Sequence, residues 1–307
     1  MKRTLNKTPN AILTGDWHLR EDQPTCRTDD FWKTQWKKVD FIKHLQEKYN
    51  CPVLHAGDLF NHWKPSPRLL SETILRLPKH FYTIYGNHDL PQHNLDLAYK
   101  CGINTLERAG VLAVLDECHW NQEPKYGSFH KEKIDVTCIS DSFPRYIHYG
   151  SNILVWHVMN YQGKKPWPGC IDPSAASLLR KQPQYDLILT GHNHKPFVEE
   201  HEGRLLVNPG SITRQATDQI DHKPRVYLWY AKTNTVEPIY LPIEQDVISR
   251  EHIDKISERE DRIDAFISKL DNDWEAGVSF EENLERFEKT NQVRQSVIQI
   301  VHKAVEQ

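Results

Sequence analysis

Ala11-Ile12-Leu13-Thr14-Gly15-Asp16-Trp17-His18 is a short apolar run that stops at a glycine and then sets a carboxylate and an imidazole two residues apart. A run this short suits a strand rather than a helix. The pattern recurs down the chain. Pro52 to His55 leads into Gly57-Asp58-Leu59-Phe60, and Phe81 to Tyr85 into Gly86-Asn87-His88-Asp89. Asn152 to Trp156 leads to His157, and Leu187 to Thr190 leads to Gly191-His192-Asn193-His194. Between the first three runs, Asp30 to Tyr49 and Pro67 to Leu77 read as helical, and Asp172-Pro173 reads as an N-cap followed by a first-turn proline. Arg204 to Val207, Arg225 to Ala231 and Thr235 to Leu241 add strand-like stretches separated by Gly, Asn and Pro turns. Strands alternating with helices predict an α/β chain. In open α/β sheets, sites assemble at the carboxyl ends of strands, which is where Asp, Asn and His gather here. Glycine just before a ligand is expected to let the backbone turn sharply.

At 307 residues and 36.1 kDa the chain suits one large or two unequal domains. No apolar run approaches the roughly 20 residues that a bilayer crossing needs, so no membrane span is expected. The start, MKRTLNKTPNAILTGDWH, lacks the apolar core of roughly 7 to 15 residues of an export signal, and a cytoplasmic location is expected. Cys26, Cys51, Cys101, Cys118, Cys138 and Cys170 stand singly, which fits reduced thiols better than a disulfide scaffold or zinc ribbon. Lys plus Arg number 39 against 42 Asp plus Glu, a net of −3. That excludes a polycation drawn as a whole to nucleic acid; any such contact must be local.

The last part of the chain has a different texture. From Asp246 to Gln307 there are 9 Lys plus Arg and 15 Asp plus Glu, which leaves +3 on the rest. Ile253, Ile256, Ile263, Ile267, Leu270 and Trp274 recur at helical spacing. Ser279-Phe280-Glu281-Glu282 reads as a capping box opening a second helix through Leu284, Phe287, Ile298, Val301 and Val305. The expected organisation is a body over residues 1–245 and a helical hairpin over 246–307. The hairpin either packs back on its own domain or docks another protein.

Asp, Asn and His without thiolate suit borderline-hard divalent ions such as Mn²⁺, Fe²⁺ or Zn²⁺. In extended backbone Asp16 and His18 point to one side, a two-pronged grip that His192 and His194 repeat from another loop. Together they supply enough ligands for two ions. A carboxylate between two cations screens their repulsion and holds them about 3.5 to 4 Å apart. Asp58 is the bridging candidate. Taken singly, Gly-Asp or His157 would read as structural; the ordered combination predicts a two-metal site.

The set Asp16-x-His18, Gly57-Asp58, Gly86-Asn87-His88-Asp89, His157 and Gly191-His192-Asn193-His194 resembles the calcineurin-like metallophosphoesterases over about residues 10 to 245. The resemblance implies a four-layer αββα sandwich, with 1–245 as its catalytic domain. Asp58-Leu59-Phe60 followed by Gly-Asn-His-Asp, and later Asn208-Pro209-Gly210-Ser211-Ile212-Thr213-Arg214-Gln215, is similar to the SbcD-type DNA-repair nucleases. Serine/threonine phosphatases usually carry Asp-Arg-Gly and Gly-Asn-His-Glu instead. One departure concerns the histidine those nucleases commonly place directly after Asp-Leu-Phe: here Asn61 stands there and His62 follows. The resemblance implies one metal held by Asp16, His18, Asp58 and His194 and another by Asp58, Asn87, His157 and His192. Mn²⁺ is the first choice, with Fe²⁺, Zn²⁺ and Mg²⁺ as alternatives. It further implies in-line attack on phosphorus by a hydroxide shared between the ions. His88 is then placed to act as general acid, while Asp89 either orients its ring or stabilises the turn.

Substrate choice lies in the surroundings. Lys64, Arg68, Arg214, Lys223 and Arg225, with Trp17, Trp63, Trp156 and Trp167, could hold a phosphate backbone and stack unpaired bases, or the tryptophans could fill the core. Trp17, Asn61, His62 and Arg214 are the candidate substrate contacts. The expected function is a two-metal DNA nuclease of SbcD type, partnered through 246–307 by an SbcC-like ATPase, with homodimers implied by the resemblance. The alternatives are a phosphoesterase for small-molecule or protein esters, and a non-catalytic DNA-binding scaffold. The intact ligand set opposes the last, because clustered unused ligands carry an uncompensated cost.

Overall fold

The chain is described here from a computed structural model, covering residues 8–115, 135–138, 151–251, 259–264, 280–291 and 293–305. Its strands sort their side chains by simple alternation, since successive residues of a strand face opposite sides of a sheet. In β1 (Ala11–Thr14) Ile12 faces one core cluster while Ala11 and Leu13 face another. β2 (Val53–His55) divides Val53 from Leu54 in the same way. In β6 (Asn152–His157), β7 (Leu187–Gly191) and β9 (Arg204–Asn208), Leu154, Ile188 and Leu206 face outward from their sheet towards a third cluster. Their neighbours Val155, Leu189 and Val207 face inward to meet Leu13, Leu54 and Trp229.

Two sheets result. The first has the order β11-β10-β1-β2-β3-β4, adding β3 (Phe81–Thr83), β4 (Ala113–Val114), β10 (Arg225–Tyr230) and β11 (Thr235–Tyr240). The second has the order β5-β6-β7-β9-β8, with β5 (Asp135–Cys138) and β8 (Phe197–His201). β1 to β4 pair in parallel, as do β5, β6, β7 and β9, so their carboxyl ends share one rim. Helices α1 (Phe31–Tyr49), α2 (Pro67–Arg76) and α3 (Gly102–Arg108) cover the outer face of the first sheet through Trp36, Val39, Ile42, Leu69 and Leu106. Helix α4 (Ala175–Lys181) covers the second through Leu178 and Leu179. The expected α/β sandwich of four layers is therefore present.

Details differ from the sequence reading. β3 ends at Thr83 rather than Tyr85. The cap of α4 is Ser174, whose side chain accepts the Ser177 N–H, so Asp172-Pro173 lies just before the helix rather than at its cap. By packing, the chain divides into Met1–Ser249 and Arg250–Gln307. Residues 246–249 go with the first unit because Thr28 N–H donates to Val247 and Ser249 N–H donates to Cys26. In the second unit, residues 259–264 are helical, as are α5 (Phe280–Thr290) and α6 (Gln295–Val305). The expected single helix beyond residue 280 is thus two. At the end of α5 the Asn291 N–H and side-chain amide both donate to the Phe287 carbonyl. Ser279 and most of the first predicted tail helix lie outside the described residues. Among those described, no helix is long and apolar enough to cross a membrane. Cys26, Cys51, Cys101 and Cys170 are free and buried.

Candidate metal centre

The loops leaving β1, β2, β3, β6 and β7 bring seven predicted ligands to one place. Asp16, His18 and His194 offer atoms all within 4.8 Å of one another, and so do Asp58, His157 and His192. Asn87 joins the second group: its Oδ1 lies 3.0 Å from His157 Nε2 and 2.8 Å from His192 Nδ1. Asp58 lies between the groups, with Oδ2 3.5 Å from His18 Nε2 and 3.3 Å from His157 Nε2.

The backbone is bent to achieve this. Asp16, His18, Asp58 and His192 all have positive φ, at 50°, 45°, 58° and 79°. Such conformations cost of order 1 to 3 kcal/mol each in non-glycine residues and persist where the surroundings over-determine them. Asp16 and His18 therefore converge through two left-handed residues, not through the extended backbone expected. Gly57 does adopt φ +89°, and a Cβ there would come within 2.7 Å of His157 Nδ1. Gly86 matters for room instead: a Cβ would collide with the Asp58 carboxylate.

Neighbouring bonds aim each ligand. His157 Nδ1–H donates to the Ala56 carbonyl at 2.7 Å, which fixes the ring with Nε2 towards the cluster and Asp58. Asp16 Oδ1 accepts the His192 N–H at 2.9 Å, while Oδ2 is buried with no partner. The Ser211 N–H donates to the His194 carbonyl, and Gln215 Nε2 donates to the His18 carbonyl at 3.0 Å. The Asn208-to-Gln215 motif thus buttresses two ligand loops at once. Sequence reading quoted that motif but gave Gln215 no role, since its contact is with a backbone oxygen.

Charge and burial conflict here unless cations are present. Burial, and then the nearby Asp58 charge, push the Asp16 carboxyl up to about 7. Burial would lower His157, but the Asp58 carboxylate hydrogen-bonded to it raises it to about 9, and the same contact holds Asp58 well below the usual carboxylate range despite its burial. Burial lowers His194 to about 4 and His18 well below its ordinary value. His18 Nε2 and His194 Nε2 nevertheless face each other at 3.0 Å. Neutral imidazole lone pairs converging with a partnerless carboxylate oxygen form a donor set that divalent cations would satisfy, so the residues fit the metals that the sequence implies.

A family model described as the calcineurin-like phosphoesterase superfamily domain matches residues 11–228. The chain belongs to that superfamily. The superfamily is binuclear metal-dependent, and the His/Asp cluster of this chain stands at the expected rim. Solved structures to which it is similar include an archaeal phosphodiesterase, at 15% identity over 75% of this chain and 99% of that one, with a TM-score of 0.38. Another is a putative 5′-nucleotidase from Staphylococcus aureus, at 14% identity over 82% of this chain and 58% of that one, TM-score 0.47. A third is phosphopantetheinyl hydrolase from Mycobacterium tuberculosis, at 12% identity over 77% and 97%, TM-score 0.44.

The remaining candidate residues separate. His88 is exposed, lies within 4.8 Å of His18 and Asp58 ligand atoms, and has its ring 4.7 Å from that of His18. Its Nδ1–H donates to the Asn61 carbonyl at 2.9 Å. Asp89 does not orient that ring. It is buried, and its carboxylate accepts the N–H groups of Asp58, Leu59, Phe60 and Gly86, so it fixes the turn that carries Asp58. Asn61 contributes through its backbone, not its side chain. His62 is exposed and accepts the Lys64 N–H. Trp17 is not a substrate contact: it is fully buried against His55 and Phe81, and its Nε1–H donates to Thr14. Arg214 is buried too, donating to the Ile220 and Glu244 carbonyls.

Proposed function

We propose that this chain is a two-metal phosphodiesterase that cleaves DNA in the manner of the SbcD-type nucleases. What supports the hydrolase part is the convergence of seven ligand side chains with one further imidazole, His88, beside them. What supports DNA is the resemblance of Asp58-Leu59-Phe60, Gly86-Asn87-His88-Asp89 and Asn208 to Gln215 to those nucleases.

Asp16, His18, Asp58 and His194 would hold one ion, and Asp58, Asn87, His157 and His192 the other, Mn²⁺ being the proposed metal. When bound, such a pair supplies positive charge to the phosphoryl oxygens and acidifies water. The chain's own groups do the rest. Asp89, by fixing the turn at residues 58–60, keeps the Asp58 carboxylate between the two ligand sets. His88 is held by a carbonyl that can only accept, so Nδ1 must carry its proton and Nε2 is the atom left to face substrate. Nε2–H of the ring is then the donor for the departing ester oxygen, with the Asn61 carbonyl fixing the ring's direction.

The alternative is a phosphoesterase for small-molecule or protein esters. A cleft that includes Asn61, whose carbonyl holds His88, and is lined also by Arg20, Glu21, Asp22, His62 and Lys64 favours it by offering a small polar leaving group a place to sit. End-labelled single- and double-stranded DNA incubated with Mn²⁺, Mg²⁺ or chelator decides between them. Mn²⁺-dependent shortening that His88→Ala slows about a hundredfold is expected. Intact DNA alongside rapid p-nitrophenyl ester hydrolysis would favour the alternative. The second unit is proposed as the docking element for an SbcC-like ATPase or a second copy, with Phe287, Val297 and Ile300 exposed on its helices. The free buried thiols suit the reducing cytoplasm.

A further inference from the structure

Four tryptophans stand near the motifs, and the structure treats them differently. Trp17 is fully buried, Trp63 packs against the first core cluster and Trp156 against the third. Trp167 alone of the four is exposed, at 47%, and Ile171 close by is exposed at 96%. One loop thus presents two large apolar side chains, four residues apart, to solvent. Both belong to the segment joining β6, which ends in the ligand His157, to α4.

That segment is fastened to the metal centre. Asn193, between the ligands His192 and His194, donates its side-chain amide to the Asn160 carbonyl at 2.6 Å, and Asn160 is fully buried. At the far end, Tyr161 pairs with Ser174 in a parallel bridge, and Ala175 N–H donates to the Tyr161 carbonyl at 2.8 Å. The tip is braced as well. Cys170 is buried, its N–H donates to the Trp167 carbonyl at 3.3 Å, and Lys165 Nζ donates to the Cys170 carbonyl at 2.9 Å. Pro166 and Pro168 flank Trp167 and restrict its backbone, so an indole held out to solvent costs little entropy to immobilise on binding.

The charge of the tip specifies the occupant. The tip carries Lys164 and Lys165, Lys195 stands exposed just beyond His194, and the nearby carboxylates are engaged by the segment itself, Asp172 by the Cys170 thiol and Glu199 by the Gln162 amide. Cations interleaved with an exposed indole suit a polyanion that also presents flat aromatic groups, as single-stranded nucleic acid does. We propose that Trp167 is a platform on which an unpaired base of the DNA strand stacks, on the His157 and His192 side of the site, with Lys164 beside the adjoining phosphate. This rests on the DNA reading given above and adds that the preferred substrate has unpaired bases at the scissile end.

Binding of a fluorescein-labelled oligothymidylate to the full chain, measured by anisotropy in chelator, tests the platform without any cleavage. Stacking on one aromatic predicts that Trp167→Ala weakens binding about tenfold and that Trp167→Phe recovers most of it. An abasic strand of equal length should bind wild type and Trp167→Ala alike. Leu75→Ala, at an exposed apolar position on α2, serves as the control. If Trp167→Ala binds oligothymidylate within twofold of wild type, or loses the abasic strand equally, the platform is overturned. Cleavage in Mn²⁺ is then measured separately. Trp167-dependent binding without any cleavage of DNA would keep the platform and reject the nuclease reading, whereas cleavage with Trp167-independent binding would do the reverse.

Discussion

Around Arg27, Lys38 and Arg214 the first unit buries three cations, and each one finds oxygen. Arg27 forks onto Asp29 at 2.7 and 2.6 Å and donates to the Arg214 carbonyl. Lys38 Nζ donates to Pro242, and Arg214 to Ile220 and Glu244. Around Asp58 charge is also buried, but Asp16 Oδ2 has no partner and two imidazole nitrogens face each other at 3.0 Å. In the first cluster each cation is hydrogen-bonded by the chain itself, which ties residues 242–249 to the body. The second is left short of positive charge that only something from outside supplies. Burial of charge alone is therefore a poor sign of function; burial that leaves lone pairs converging without a donor is a better one.

Substitutions can break this contrast. Asp58→Ala removes the carboxylate common to both ligand sets, so activity should fall about a thousandfold or more, roughly 4 kcal/mol in the barrier. Metal content by elemental analysis should drop from two equivalents. Retention of both equivalents would show the bridge misassigned. His88→Ala should keep both equivalents yet slow turnover about a hundredfold, the scale of a lost general acid; steady-state kinetics on a small diester checks it.

Disturbing the first cluster should touch stability instead. Asp29→Ala leaves Arg27 without its carboxylate, and, since Asp29 is only partly buried, about 2 kcal/mol of destabilisation is expected, a loss of about 6 °C in Tm. Metal stoichiometry should be unaffected. The smallest effect concerns pH. Burial, helped by Arg27 and Arg214, lowers Lys38 from 10.5 to about 7 in the fold. Between those values the unfolded chain holds a proton that the folded chain has released, so stability should rise with pH from about 7 towards 10.5. The cost of burying Lys38 is fully present below about 7. Lys38→Met should remove a slope of about 1 kcal/mol per pH unit in denaturant titrations. An unchanged slope would mean that other groups set it.

The layers and the ligand loops were legible because both follow from short-range rules. Alternation in Ile12 and Leu13, or Ile188 and Leu189, sets which sheet face each residue takes. Polar residues directly after such runs land at the rim. What spacing does not reveal is which way a loop side chain turns. Trp17, between two ligands, turns into the core, and Arg214, in a motif beside the site, turns to backbone carbonyls. Backbone acceptors are equally hidden, as with the Asn61 carbonyl that holds His88. Asp89 showed the same ambiguity in sequence, and its four accepted N–H bonds resolve it as the brace of the Asp58 turn.

Crystals grown with Mn²⁺ and measured at the manganese absorption edge address the metal centre most directly. Two anomalous peaks should flank the Asp58 carboxylate, one reached by Asp16, His18 and His194 and the other by Asn87, His157 and His192. A single peak, or manganese bound only elsewhere on the surface, would contradict the assignment.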